Sequence, residues 1–216
     1  MFYDIVKRII DIASSIILII LFAPIMILTA IIIKITAPGP VLVEPENSHM
    51  KRIGRDGKIF RLYKFRSMPV NADSLLTKDP RFKKLYNEYK KSSFKLHEDP
   101  RVTKFGRFIR KYSIDEMPQL FNVLEGDMSL VGPRPYHADE LTEQQKIYHG
   151  TEKFVRETQT VKPGITGYWQ VSGRSDINFD RRIEMDAYYA KRKSLLMDIF
   201  IILKTPFVMI SGKGAV

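Results

Sequence analysis

Between Ile9 and Ile33 the chain is almost wholly apolar, with Lys7 and Arg8 in front, Lys34 behind and Pro24 near the middle. Such a segment must leave water, and where its two ends lie decides the rest of the architecture. Because positive charge flanks both ends, the preference of Lys and Arg for the cytoplasmic side has no asymmetry to act on, and both ends can share one face. Pro24 removes the hydrogen bond to the Ile20 carbonyl and crowds it, which costs about 3 kcal/mol in a straight helix and predicts a bend. The roughly 16 residues between Arg8 and Pro24 make about 24 Å of helix, short of the roughly 30 Å hydrocarbon core, so neither arm spans alone. Two paths are open: a spanning helix with a proline kink, or a re-entrant hairpin that enters one leaflet and returns.

With 216 residues there is room for one domain with a real core beside this segment. The absence of cysteine excludes disulfides and thiolate zinc sites, and the four histidines show no metal-ligand spacing. Lys and Arg outnumber Asp and Glu by 35 to 24, a net charge of +11, and the basic residues are spread from Lys51 to Arg110. Such a surface attracts anions. Next to an apolar anchor, lipid headgroups and phosphate esters outrank nucleic acid, which is not expected as a partner. A cleaved signal peptide fits poorly, since the apolar stretch is too long and lacks a small-residue cleavage site.

The fold expected is α+β, mainly helical with a small β-hairpin or sheet, comprising a membrane segment over 1–36 and a catalytic domain over 37–216. The run Thr36-Ala37-Pro38-Gly39-Pro40 breaks the first helix and marks the exit from the membrane. Residues 41–43 and 59–65 read as strands, and Asp56-Gly57 is a hairpin turn signal. In the charged segment 71–95, Phe82, Leu85, Tyr86 and Tyr89 share one helical face. Glu98-Asp99-Pro100 closes that segment, and Thr103 to Lys111 reads as a basic helix bearing Phe105, Phe108 and Ile109. A further helix runs from about Asp115 to Leu124 and stops at Gly126. After the Gly-rich loop 162–167 comes an amphipathic helix from Phe179 to about Arg192. The apolar end, 195–210, is interrupted by Asp198, Lys204 and Pro206, which predicts an interfacial or core-packed helix rather than a second span.

The segment Ser113-Ile114-Asp115-Glu116-Met117-Pro118 places two carboxylates at the start of a helix. Ser113 with Glu116 matches a capping box, an ordinary stabilising device. A cap at Asp115 instead puts Pro118 in the first turn, where its missing N–H is harmless. In the functional alternative the helix dipole keeps Asp115 ionised, so that its carboxylate can attack phosphorus and form an acyl phosphate. Around the pair stand Lys64 and Arg66 in KFRSM, Arg107 and Arg110 in GRFIRKYSIDE, and Arg134 in GPRP. Each is an ordinary surface charge when taken singly. Pro133 and Pro135 restrict the backbone on both sides of Arg134, presetting the aim of its planar fork for bidentate phosphate binding.

The segments KFRSM, SIDEMPQLFNVLEGDMSLVGPRP and KPGITGYWQVSGR, together with the Pro-bearing apolar stretch, resemble the bacterial sugar transferases of the monotopic phosphoglycosyl transferase family. The likeness covers nearly the whole chain. It implies that Asp115 is a nucleophile taking a phospho-sugar from a UDP-sugar, with Glu116 as its partner toward undecaprenyl phosphate and UMP leaving first. Mg2+ is implied as cofactor, with Asp115 as its ligand, and Lys64, Arg66, Arg110 and Arg134 as the groups that neutralise substrate phosphates. It also implies a re-entrant helix broken at Pro24, interfacial amphipathic helices, and a site on the cytoplasmic face of the bacterial inner membrane. Members that resemble the segment GYWQVSGRSDINFDRRIEMD use UDP-glucose or UDP-galactose in the first membrane step of exopolysaccharide, O-antigen or glycan synthesis. Besides the two substrates, membrane lipids and further copies of the chain are admitted as partners. The chain departs from the pattern at Ala23, where members have serine before the proline, and at VEPENSHMKRIG, for which no substrate contact is assigned. Larger members carry extra N-terminal spanning helices, so this chain is expected to be a minimal member or the catalytic part of a longer one. Tyr168 and Trp169 could stack on a base or sugar, or be packed core or interfacial. Two other classes stay open: a hydrolase of lipid-linked or nucleotide diphosphates using the same acid pair, and a basic membrane adaptor without catalysis.

Overall fold

The computed structural model describes residues 2–43, 50–70, 72, 74, 76, 79–91, 96, 99–173 and 177–211. His97, Glu98 and much of the charged segment 71–95 lie outside these. Helix α1, Phe2–Thr36, runs on through Pro24 without ending there. A helix can absorb a proline by bending while its other backbone bonds persist, and the helical state here is not broken.

Both ends of α1 are fastened to the same domain. Near its start, Arg8 donates to the carbonyls of Val123 and Leu124 at 2.5 and 2.8 Å. These carbonyls close helix α4, Gln119–Glu125, so a cation meets the negative end of a helix. Asp11, inside the apolar stretch, is buried and accepts from the Leu130 N–H at 3.0 Å. Near the other end, Thr29 and Ile33 are buried, and Ile33 packs with Phe65 and Ile109. Arg66 donates to the carbonyls of Ala37 and Pro38, which fixes the chain where it leaves the helix. Between these two fastenings no residue from 16 to 28 is buried, and Ile16, Ile17, Ile20, Leu21, Ile25, Ile27 and Leu28 are exposed. An apolar surface of that extent needs a non-aqueous environment, which makes α1 a helix of membrane-anchoring character.

The hairpin forms where Asp56-Gly57 predicts it, but its first strand is elsewhere. Strand β1, Lys51–Ile53, pairs antiparallel with β2, Ile59–Arg61, in the register Arg52 opposite Phe60. Asp56 and Gly57 both take positive φ, the left-handed conformation such a tight connection needs. Residues 41–43 do not form a named strand. They pair instead with the chain beyond β2, through Val43 N–H to the Lys64 carbonyl and Arg66 N–H to the Val41 carbonyl. An extended chain alternates its side chains, so Phe65 enters the core while its neighbour Lys64 turns the other way.

Helix α2, Lys83–Lys91, begins after a 3-10 turn containing Phe82, so the aromatic face predicted there is divided between two elements. Helix α3, Lys104–Lys111, is capped by Thr103, whose hydroxyl accepts from the Gly106 N–H at 2.8 Å. Ile109 is buried while Phe108 is exposed, so only part of its aromatic face packs inward. Ser113 sits in the left-handed region at φ 55° and makes no side-chain cap bond, so there is no capping box. Asp115 is not a cap either: Ile114–Glu116 is a 3-10 turn, and α4 begins afterwards with Pro118 as its flanking residue. Gly126 ends α4 at φ 92°, as the sequence predicts.

Strand β3, Ser129–Val131, lies parallel to β4, Gly164–Thr166. A side chain at Gly164 would strike the Gly132 backbone at 2.0 Å, so this crossing requires glycine. Helices α5, Ala138–Ile147, α6, Glu152–Thr158, and α7, Phe179–Arg192, gather around Tyr136, Leu141, Val155, Phe179 and Ile183. A larger cluster joins the hairpin, α4, β3, α7 and the last helix through Phe60, Leu120, Val123, Met128, Tyr189 and Ile201. Helix α8, Leu195–Ser211, contains Pro206; it buries Ile201 and exposes Leu196, Ile199, Phe200, Leu203 and Phe207. It is core-packed on one face and apolar outward on the other, and the described residues form a mainly helical fold with two small sheets.

Candidate active site

Asp115 is held by the strand that carries Lys64. The Phe65 N–H donates to the Asp115 carbonyl at 2.9 Å, and Asn122 fixes the same strand by accepting from the Tyr63 N–H and donating to the Arg61 carbonyl. With Phe65 anchored inward, the Lys64 ammonium comes to 2.9 Å from Asp115 Oδ2 and 3.3 Å from Glu116 Oε1. Asp115 is only 2% exposed, whereas Lys64 and Glu116 are partly open. Burial raises the Asp115 pKa above the usual carboxylate value; Lys64 pulls it back, and the neighbouring Glu116 charge pushes it up again. Asp115 does not stand in the first turn of an α-helix, as the dipole argument assumed. The 3-10 turn stands ahead of α4, and the charge that opposes protonation is first the Lys64 ammonium and then Arg110. Nor is the approach open: in this conformation Lys64 lies over the carboxylate that would react.

Arg110 reaches the same place from α3, its Nε donating to Ser67 Oγ at 2.9 Å. Arg134 is tied to the pair through its charge, which Glu116 helps to hold. Its backbone N–H donates to Asp186 Oδ2 at 3.2 Å, and its Nε stands 4.0 Å from Glu140 Oε1. Burial works against the charge of Arg134, but Glu140, Tyr136, Glu116 and Asp186 together hold its pKa above the ordinary value. Asp186 itself is pushed up to about 7 by burial, against the Arg134 N–H, Arg182 and the Tyr136 hydroxyl. Thus Asp115, Glu116, Lys64, Arg110 and Arg134 form one electrostatic group. Arg66 is different: its bonds to the Ala37 and Pro38 carbonyls give it a structural task at the end of α1. Trp169 is buried under the Arg182 guanidinium and is core, while the ring of Tyr168 leans on Tyr188.

Sequence reasoning missed Arg52, Glu140 and Asp186. Asp186 left a signal, an acid on the apolar face of an amphipathic helix beside Ile183 and Ala187. Arg52 left none that separates it from other basic residues of the hairpin.

Among the described residues, no group of three or more His, Asp or Glu side chains converges on a metal position. Mg2+ characteristically takes one or two carboxylates and completes its shell with substrate phosphates and water. Asp115 and Glu116 fit that mode, and do not form a cage for a resident ion.

The family model described as bacterial sugar transferase matches residues 2–212. The chain belongs to this family. It is 44% identical over 209 residues to the undecaprenyl-phosphate galactose phosphotransferase of Salmonella typhimurium, covering 97% of this chain and 41% of that protein. It is 39% identical over 209 residues to the UDP-galactose-lipid carrier transferase of Erwinia amylovora, covering 97% of this chain and 41% of the other. With the exopolysaccharide production protein ExoY of Sinorhizobium fredii it shares 37% identity over 206 residues, 95% of this chain and 86% of that one. The chain thus spans about two-fifths of the length of the first two relatives and most of the third.

Proposed function

We propose that this bacterial sugar transferase moves a sugar-1-phosphate from a UDP-sugar, UDP-galactose or UDP-glucose, to undecaprenyl phosphate at the cytoplasmic face of the bacterial membrane. An Asp115 carboxylate oxygen attacks the phosphorus that bears the sugar, the bond to the bridging oxygen breaks, and UMP leaves with that oxygen. An oxygen of undecaprenyl phosphate then attacks the same phosphorus and frees the Asp115 carboxylate, leaving the sugar on a lipid diphosphate. Glu116 is the partner acid that faces the second nucleophile. Lys64, Arg110 and Arg134 neutralise the phosphates through both displacements. Mg2+ held by Asp115 and substrate phosphates would supply further neutralisation. Lys64 must swing from Asp115 onto a substrate phosphate before the first attack.

The observation that carries this reading is the Lys64 ammonium shared between two adjacent carboxylates at 2.9 and 3.3 Å, with Arg110 and Arg134 converging on them. Intact-protein mass spectrometry after mixing with UDP-galactose or UDP-glucose and Mg2+, without acceptor, should show a gain of one hexose phosphate that undecaprenyl phosphate discharges. Sugar phosphate released by water without acceptor would make the chain a hydrolase, and binding of anionic lipid with no turnover would make it an adaptor.

For α1 the proposed path is re-entrant. Its support is the fastening of both ends to one domain, with much of the apolar middle exposed. Cysteines introduced as Asp4→Cys and Thr36→Cys should both react with an impermeant thiol reagent from the cytoplasmic side only. Labelling from opposite sides would establish a spanning helix.

A further inference from the structure

Arg52 stands on β1, and the next residue, Ile53, donates its N–H to the Tyr136 carbonyl at 2.9 Å. That bond fastens the hairpin to the Pro133–Tyr136 segment and brings the Arg52 guanidinium within reach of the Arg134 charge. Arg52 Nε and Nη1 and Arg134 Nε are shut off from solvent, and none has a hydrogen-bond partner among the described residues. Burial, followed by the Arg134 charge, draws the Arg52 pKa down to about 10. The acids facing the pair are Glu140, 4.0 Å from Arg134 Nε and beyond hydrogen-bond length, and Glu116, whose charge acts on both arginines. Below Arg134 lie Asp186 and Arg182, which balance one another.

Folding alone disfavours such an arrangement. Like charges are brought together, and rigid donors are dehydrated without acceptors. A tetrahedral oxyanion offers what is missing, several acceptor oxygens and the opposite charge, and paired guanidinium forks match its geometry. We infer that Arg52 and Arg134 form a two-guanidinium clamp for a phosphoryl group of an organic phosphate, with Glu116 at its rim, and that Arg52 is a substrate-binding residue of this transferase. The inference rests on the reading under Proposed function and adds to it a residue from a segment to which the sequence assigned no contact. Two phosphates could fill the clamp, the diphosphate of the nucleotide donor or the monophosphate of the lipid acceptor.

The test uses the full chain in lipid nanodiscs. KM is measured for UDP-galactose and for undecaprenyl phosphate, each at saturating levels of the other, and UDP affinity is measured by titration calorimetry. Arg52→Gln should raise one KM at least about tenfold while kcat changes less. Arg52→Lys, which keeps the charge and loses the fork, should fall between. A rise for UDP-galactose with matching loss of UDP affinity assigns the clamp to the donor; a rise confined to undecaprenyl phosphate assigns it to the acceptor. Both KM values and the UDP affinity within twofold of the parent would overturn the inference, even if the melting temperature falls, since Arg52 would then be structural. Should Arg52→Gln fail to fold, Arg52→Lys carries the same comparison. A parent protein that transfers no sugar phosphate sinks the wider reading, and loss of UDP affinity in Arg52→Gln would uphold the clamp regardless.

Discussion

Two lysine–aspartate pairs in this molecule have the same length and opposite characters. Lys7 meets Asp198 at 2.9 Å, and Lys64 meets Asp115 at 2.9 Å. Asp198 also accepts from the Tyr3 hydroxyl at 2.9 Å and the Tyr189 hydroxyl at 2.6 Å, so three donors from α1 and α7 converge on one residue of α8. Such a carboxylate is fully occupied, and its task is to tie the first helix to the last two. Asp115 has a second acid next to it in the chain, drawing on the same ammonium. Burial and that neighbour make its charged form expensive, which suits the reactive role proposed for it. Distance does not distinguish the two pairs. What does is whether the surrounding groups satisfy the charge or compete for its partner.

The comparison can be broken most directly by removing each charge with little change of shape. Asp115→Asn should abolish transfer by at least about a thousandfold, because the amide cannot form the acyl phosphate. Its melting temperature should stay level or rise, since a buried charge has been removed. Asp198→Asn should do the reverse, lowering stability by about 3–5 kcal/mol as Lys7 is left without its partner, while the folded fraction keeps its turnover. Thermal melts and transfer rates of the two variants, measured side by side, decide the matter. Equal losses of activity at equal stability would show that the two pairs do the same work.

The same contrast explains how far the sequence could be read. Helical periodicity places α7 from Phe179 to Arg192, and Gly126 ends α4, because those signals are local and the structure keeps them. The hairpin turn at Asp56-Gly57 was legible for the same reason, but its partner strand was not, because pairing is decided by contacts across the fold. In the candidate site, the sequence singles out the acids by the run Ser113–Pro118 and Arg134 by the two prolines beside it. Arg66 does not, and KFRSM turns out to contain one cation for the acids and one for the backbone at the end of α1. Asp11 shows the same limit: an acid in an apolar stretch is buried against the Leu130 N–H, a partner 119 positions away. Capping logic failed at Ser113 because a left-handed residue there turns the chain before a helix can begin.

Lys64 offers a finer test, since it both opposes the protonation of Asp115 and covers it. In the proposed mechanism attack requires the ionised acid, so kcat/KM for the donor should fall as pH is lowered through the Asp115 pKa, which lies above the ordinary 3.8. Taking away the ammonium with Lys64→Met removes the largest influence holding that pKa down, and the acidic limb should move to higher pH. The height of the profile will fall as well if Lys64 binds phosphate, but only the position of the limb reports on its contact with Asp115. Stability carries the same sign. A carboxyl whose pKa is raised by folding favours the fold below its unfolded value and loses that contribution as pH climbs to the folded one, so Lys64→Met should weaken the protein near neutrality and much less in acid. Adding Asp115→Asn should restore what was lost, with a coupling of about 1–3 kcal/mol between the two sites. If the limb does not move and the double variant shows no coupling, the ammonium at 2.9 Å has no hold on the acid's proton, and the character of Asp115 comes from burial and the charges of Glu116 and Arg110.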